Sequence, residues 1–229
     1  MSSASEFRLH RVARLTESAR PVPFTGSFLD AQWLRYMIGP QSWVDVARFT
    51  DLFTKADVDE LWKLQVGIPY NTRQMYDTID TITPRKTVWF SNERSRYGER
   101  ELNEYPQPEV LKRVYALVKE VDPTVDSSLL NFYMKAEDSV APHSDRTEHL
   151  LHESQIWTAS LGHIRDFVLT AKYKDSKYVQ IHRIPVTQGT VIIMGGKTQQ
   201  THKHAIPKSK IPTSMRVSFT FRSLKPNIQ

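Results

Sequence analysis

In the stretch APHSDR, His143 and Asp145 stand two residues apart. On an extended segment both side chains leave the same face and can reach one ion. Downstream, THKHAIP offers His202 and His204 behind the apolar run GTVIIMGG. Two imidazoles and one carboxylate are the ligand set of non-haem iron(II) sites, which keep open positions for small molecules. Taken alone, an HxD tripeptide is also found as a solvated loop pair.

A second pattern follows the distant histidines. In MRVSFTFR, strict alternation puts Arg216, Ser218, Thr220 and Arg222 on one face and Val217, Phe219 and Phe221 on the other. The apolar face is expected to pack outward against a second layer, which aims two guanidiniums inward, where charge must be paired. Arginine suits bidentate carboxylate binding, so a dicarboxylate is the expected guest. A half-solvated edge strand with two surface arginines is the competing reading of this strand alone. NFY adds Asn131 and Tyr133 on one face of an earlier strand, as polar groups for the same pocket.

The elements that must position these groups are short. From Ser127 onward the segments SLLNFYMKA, QIWTASLG, RDFVLTAKY, KYVQIHRIPV, GTVIIMGG and MRVSFTFRSL read as strands broken by turn residues. Ahead of them, SWVDVARFTDLF alternates like a strand entering a helix. TKADVDELWKLQ then reads as a helix capped by Thr54, with Asp57 at the capping-box position and Val58, Leu61, Trp62 and Leu64 on its buried side. A second helix, PEVLKRVYALVKEVD, begins near Pro108 and gathers Val110, Leu111, Val114, Leu117 and Val118 on one face. Residues 1 to about 40, punctuated by Pro21, Pro23 and Gly26, read as a weakly structured lead-in. The fold expected is mainly β with flanking helices (α+β), a jelly-roll half with helices outside it.

Composition narrows the chemistry. The 229 residues are 39% hydrophobic and 24% charged, enough for a sizeable core. There are no cysteines, so disulfides, thiolate metal sites and a cysteine nucleophile are excluded, and any metal must be held by His, Asp or Glu. The N-terminal residues lack the apolar run of a signal peptide and no window approaches a membrane span, so an intracellular protein, nuclear or cytoplasmic, is expected. A net charge of +6 fits a polyanionic partner as well as it fits an ordinary basic protein.

With these motifs in hand, the sequence resembles the AlkB family of Fe(II)- and 2-oxoglutarate-dependent dioxygenases, nearest the nuclear type that repairs alkylated DNA. The shared order is NFY at Asn131 to Tyr133, HSD at His143 to Asp145, His204, and RVSFTFR at Arg216 to Arg222. TPRKTVWF, SLGHIRDFVL and HAIPKSKIPTSMR extend the likeness over roughly residues 50 to 224. The resemblance implies a double-stranded β-helix, a distorted jelly roll, with Fe(II) held by His143, Asp145 and His204. It favours His204 over His202 by its spacing to Arg216. It assigns the distal carboxylate of 2-oxoglutarate to Arg216 and Tyr133, and the metal-proximal end to Arg222 and Asn131. Ser218 stands where related enzymes often carry Asn. It further implies an N-terminal extension over 1–50 and a dioxygenase domain over 51–229, with a nucleotide-recognition lid at about 68–104 and a jelly-roll core at about 127–224.

The same resemblance implies O2 as co-reactant and oxidative demethylation of N-alkylated bases in DNA or RNA. The stretch from Tyr70 to Arg100 interleaves aromatic and basic residues where the family builds its lid. Flipped bases are held between aromatic faces while arginines steady phosphates. Arg85, Trp89, Phe90 and Tyr97 are therefore expected to bind substrate, and Met75 or Tyr76 lies near the family's intercalating wedge. One departure stands out. The repair enzymes carry an acid two positions after the iron Asp, and here that position is Thr147, with Glu148 one place later as the candidate substitute. The alternative is a hydroxylase of the same chemistry acting on an unmethylated nucleobase, a protein side chain or a small molecule. A monomer is expected, with nucleic acid as partner and neither membrane nor disulfide partner.

Overall fold

Alternating apolar residues that are buried on both sides must lie between two layers, and the segments read as strands do so. A computed structural model describes residues 13–14, 20–70, 73–76, 79–91, 105–172 and 178–225. The first half contains β1 (Ala13–Arg14), β2 (Leu34–Gly39), β3 (Ser42–Arg48), α1 (Lys55–Gly67), β4 (Arg73–Tyr76), β5 (Ile79–Ile82), β6 (Lys86–Ser91) and α2 (Glu109–Val121). The second half runs through β7 (Ser127–Tyr133), β8 (Val140–His143), β9 (Ile156–Gly162), β10 (Arg165–Lys172) and β11 (Tyr178–Val186). It closes with β12 (Thr190–Gly196), the short α3 (Thr198–Thr201), β13 (His202–Ile206) and β14 (Arg216–Arg222).

Seven strands form the larger sheet in the order β2-β3-β12-β9-β14-β7-β6, and five form the smaller, β1-β11-β10-β13-β8. The strands β4 and β5 make a separate hairpin. The larger sheet has one apolar face for each layer. Val191, Ile193, Val217, Phe219 and Phe221 join a core with Leu111, Val114 and Val118 of α2 and Leu61 of α1. The alternate residues Ile192 and Met194, with Val44, Val46 and Ile156, meet Phe167, Leu169, Ile184 and Ile206 of the smaller sheet. This is the jelly-roll architecture with helices on the outer face.

Both helices begin as their caps dictate. Thr54 Oγ1 accepts from Asp57 N–H at 3.3 Å while Asp57 Oδ2 accepts from Thr54 N–H at 2.7 Å, a reciprocal capping box. Pro108 is the N-cap residue of α2 without a side-chain cap. Instead Glu60 reaches across from α1, its two carboxylate oxygens accepting from Glu109 N–H at 2.7 Å and Val110 N–H at 3.1 Å. That satisfies orphan donors and sets a negative charge at a positive helix end.

Two expectations need correction. Trp62 is not on the buried stripe of α1: it is 52% exposed, and Leu61 with Gln65 forms the buried line. Gln65 is tolerated there because its Oε1 and its backbone oxygen both accept from Lys86 Nζ. The stretch to about residue 40 is also more than a lead-in, since β2 pairs antiparallel with β3, which pairs with β12 over Ser42 to Arg48. Its apolar alternation was hard to see because Met37, on the outward face, is apolar and 59% exposed. The sheet therefore starts before residue 50.

Candidate active site

The strands β8 and β13 bring the first groups together. His143, the last residue of β8, pairs directly with His204 of β13, so their rings lie side by side with centroids 4.3 Å apart. Asp145 follows two residues later. One ligand atom from each of His143, Asp145 and His204 lies within 4.8 Å of the others. Ala141 O lies 3.0 Å from His143 Nδ1. A carbonyl can only accept, so Nδ1 carries the proton and Nε2 is left as the ligand atom. Asp145 is anchored at both ends: its N–H donates to Gln199 Oε1 at 2.9 Å, and its Oδ2 accepts from Arg222 Nε at 2.9 Å. Oδ1 faces His143 Nε2 at 3.7 Å.

The electrostatics suit a cation. Burial pushes the Asp145 carboxyl up, but the Arg222 guanidinium and the two imidazoles outweigh it and hold it well below the usual carboxylate range. Burial, and then the neighbouring His143, push His204 down to about 3, and burial likewise lowers His143. All three groups are thus in the ligand form, one anion and two neutral imidazoles, at neutral pH.

Beside this cluster lies a pocket floored by β7 and β14. Register fixes its floor, because Arg216 pairs with Tyr133, Ser218 with Asn131 and Thr220 with Leu129, and paired residues share a face. All six line the pocket, with Arg85, Arg222, His143 and His204. At one end Arg216, 1% exposed, donates from Nη2 to Ser160 Oγ at 3.0 Å, while its Nε and Nη1 have no hydrogen-bond partner. Its guanidinium carbon sits 5.0 Å from the centre of the Tyr133 ring. Burial depresses its pKa, against the opposing influence of Tyr133. A buried guanidinium with no carboxylate partner among the described residues is costly unless a ligand supplies one.

The metal and anion groups expected from sequence are therefore brought together: His143, Asp145, His204, Asn131, Tyr133, Arg216, Ser218 and Arg222. His202 is not part of the cluster. It is 4% exposed and its Nδ1 lies 2.7 Å from Thr201 Oγ1.

The substrate residues divide. Arg85 is a pocket residue rather than a surface phosphate clamp: 7% exposed, it donates from Nε to Asn131 Oδ1 at 2.7 Å. Trp89 lies on the pocket side of β6, its ring 5.3 Å from the Arg222 guanidinium carbon. Phe90 is a correction. Adjacent strand residues point oppositely, and Phe90 is 2% exposed in the helix-facing core. Glu148 and Thr147 sit exposed on a 3-10 turn, Thr147–His149, outside the pocket lining. Tyr97 lies outside the described residues, and of Met75 and Tyr76 only the hairpin backbone is described.

Three contributors were not singled out from sequence. Gln199 lies in the four-residue α3, too short for any periodic signal. Ser160 is one small polar residue within a buried strand. Arg165, 4% exposed with its guanidinium carbon 5.6 Å from the centre of the Tyr133 ring, was findable, because alternation along β10 puts it on the inward face with Phe167 and Leu169.

Comparison with known proteins accords with this geometry. Residues 41–222 match the model of the 2OG-Fe(II) oxygenase superfamily. Alpha-ketoglutarate-dependent dioxygenase alkB homolog 3 of Rattus norvegicus is 31% identical over 178 residues, covering 74% of this chain and 57% of the relative. The Homo sapiens homolog 3 is 31% identical over 192 residues, covering 80% and 64%. DNA oxidative demethylase ALKBH2 of Homo sapiens is 29% identical over 191 residues, covering 77% and 72%. The match thus spans about three fifths of the homolog 3 relatives. A solved structure of OsALKBH1 superposes with a TM-score of 0.49 at 16% identity, covering 83% of this chain and 100% of the other.

Proposed function

The chain belongs to the 2OG-Fe(II) oxygenase superfamily, and on that premise we propose that it is an AlkB-like member that oxidatively demethylates N-alkylated bases in DNA or RNA. The observation that carries the dioxygenase chemistry is the pairing of a His-Asp-His cluster with a buried guanidinium, Arg216, whose Nε and Nη1 lack partners.

The residues fit the cofactors of that family. His143, Asp145 and His204 would hold Fe(II), and in this role they are the catalytic set. Arg216 and Tyr133 would take the distal carboxylate of 2-oxoglutarate, with Asn131, Ser218 and Arg222 along its length towards the metal. Iron, O2 and 2-oxoglutarate together supply the oxidation: one oxygen atom ends in succinate with loss of CO2, the other as a hydroxyl on the N-methyl carbon. The hydroxymethyl group then leaves as formaldehyde as its C–N bond breaks, and the nitrogen keeps the electron pair.

The chain's own residues position and shield. Arg222 fixes one oxygen of Asp145 and leaves the other for the metal. Gln199 holds the Asp145 backbone. Arg85 braces Asn131, whose Nδ2 donates to Ser218 Oγ at 3.4 Å. Leu129, Phe167 and Ile206 exclude water from the cavity walls. Trp89, and Tyr97 of the lid stretch, are our candidates for contact with the base, and Glu148 for its exocyclic group. We assign it a nucleic-acid partner, action as a monomer, and an intracellular site, nuclear or cytoplasmic. No described helix is long and apolar enough to cross a membrane.

The test is mass spectrometry of short oligonucleotides, some with one N-methyl base and one unmodified, incubated with Fe(II), ascorbate and the protein, with and without 2-oxoglutarate. Methyl loss that requires 2-oxoglutarate supports the reading. Succinate without methyl loss would leave the dioxygenase and remove the demethylase. Gain of one oxygen on an unmodified strand would instead support a base hydroxylase, the reading that Thr147 favours.

A further inference from the structure

Three guanidiniums and no carboxylate line the pocket among the described residues. Their charges are not equally answered. Arg222 is paired with Asp145, and Arg216 would be paired by the cosubstrate. Arg85 has only neutral acceptors, Asn131 Oδ1 at 2.7 Å and Ser139 O at 3.4 Å. It lines the same cavity as His143. The nearest acid past the cluster, Glu148, is exposed and outside the lining.

We propose, resting on the demethylase reading above, that this site selects N-alkylated bases that are uncharged at neutral pH over those that are cationic, with Arg85 as the specificity-determining cation. Two physical arguments agree. A like charge brought into a water-poor cavity is repelled with little screening. Hydrogen bonding points the same way: a guanidinium has donors and no acceptor. Uncharged 3-methylthymine and 1-methylguanine carry a carbonyl beside the N-methyl group, which can accept from Arg85. Cationic 1-methyladenine offers only an amino group there, which cannot, and the C2 carbonyl of 3-methylcytosine belongs to a ring that itself carries the positive charge.

The experiment is a competition. Single-stranded oligonucleotides carrying each of these four bases are mixed at neutral pH with the full chain, Fe(II) and 2-oxoglutarate, and relative kcat/KM is read by mass spectrometry. The neutral pair is expected to lead by on the order of tenfold, the effect of one like charge in such a medium. Thr147→Asp, at an exposed position two residues past Asp145 where the family resemblance expects an acid, should reduce that lead. Arg85→Gln should shrink it and Arg85→Lys preserve it. Because the readout is a ratio within one tube, loss of folded protein in a variant does not move it. Cationic bases processed as fast as neutral ones would overturn the inference and leave the demethylase intact. Succinate formation with no methyl lost from any of the four would overturn both.

Discussion

Arg222 and Arg216 close opposite ends of one strand, β14, and both are buried, 5% and 1% exposed. Arg222 meets its anion within the polypeptide, at Asp145 Oδ2. Arg216 meets a hydroxyl at Ser160 and the flank of Tyr133, and two of its nitrogens meet nothing. The first end has its counter-charge within the fold. The second has no counter-charge among the described residues, which is costly in a buried site unless a ligand supplies one. The contrast separates a charge answered within the polypeptide from a charge left open to an anionic ligand.

The contrast can be broken at several points. The largest effect is expected from Asp145→Ala, which removes a metal ligand and strands Arg222. Succinate formation should fall by roughly 1,000-fold or more, and urea unfolding should show a loss of about 3–5 kcal/mol. Full activity in that variant would end the ligand assignment. Next come Arg222→Met and Arg216→Met, measured without metal or cosubstrate. Arg222→Met should lose about 3–5 kcal/mol by leaving Asp145 buried and unpaired. Arg216→Met should be neutral or more stable, while its KM for 2-oxoglutarate rises on the order of 100-fold. Equal losses in the two would erase the distinction between the ends.

Ligand linkage sharpens the same point. With Mn(II) in place of iron, 2-oxoglutarate at about 100 times its Kd should stabilise the chain by about 2.7 kcal/mol, and thermal unfolding of Arg216→Met at that concentration should show little of it. Acid should act on the metal-free protein through the buried histidines. Burial holds His182 down at about 4, burial and His143 hold His204 down at about 3, and burial lowers His202, against an ordinary value of 6.5. The unfolded chain therefore takes up protons first, so stability is full above about pH 6.5 and falls as pH drops towards 4. A melting temperature flat from pH 7 to 5 would contradict this. The smallest effect is Phe90→Leu, expected to cost about 1 kcal/mol of stability with substrate KM unchanged. A raised KM with intact stability would return Phe90 to the base pocket.

How legible the molecule was depended on how local each determinant is. The capping box at Thr54 and Asp57, the α2 face and the two-faced β14 were readable because caps, helical period and strand alternation are set within a few residues. The His-Asp-His cluster was readable in part, because His143 and His204 fall on strands whose alternation fixes their faces, while Asp145 lies two residues past β8. Phe90 and Trp62 misled because aromatic character says nothing about which layer a side chain meets. The strand β2 was missed because an exposed Met37 hides the alternation on an edge.

The sequence by itself thus determined the chemistry available, a two-histidine, one-carboxylate set and two inward arginines without any thiol, together with most of the elements carrying them. Tertiary structure alone decided that His143 and His204 pair across two strands, that Gln199 and Arg222 clamp Asp145 from both sides, and that Arg85 turns inward onto Asn131. Strand register and the closure of one sheet over another set those contacts, and both are long-range properties, so no window of sequence contains them.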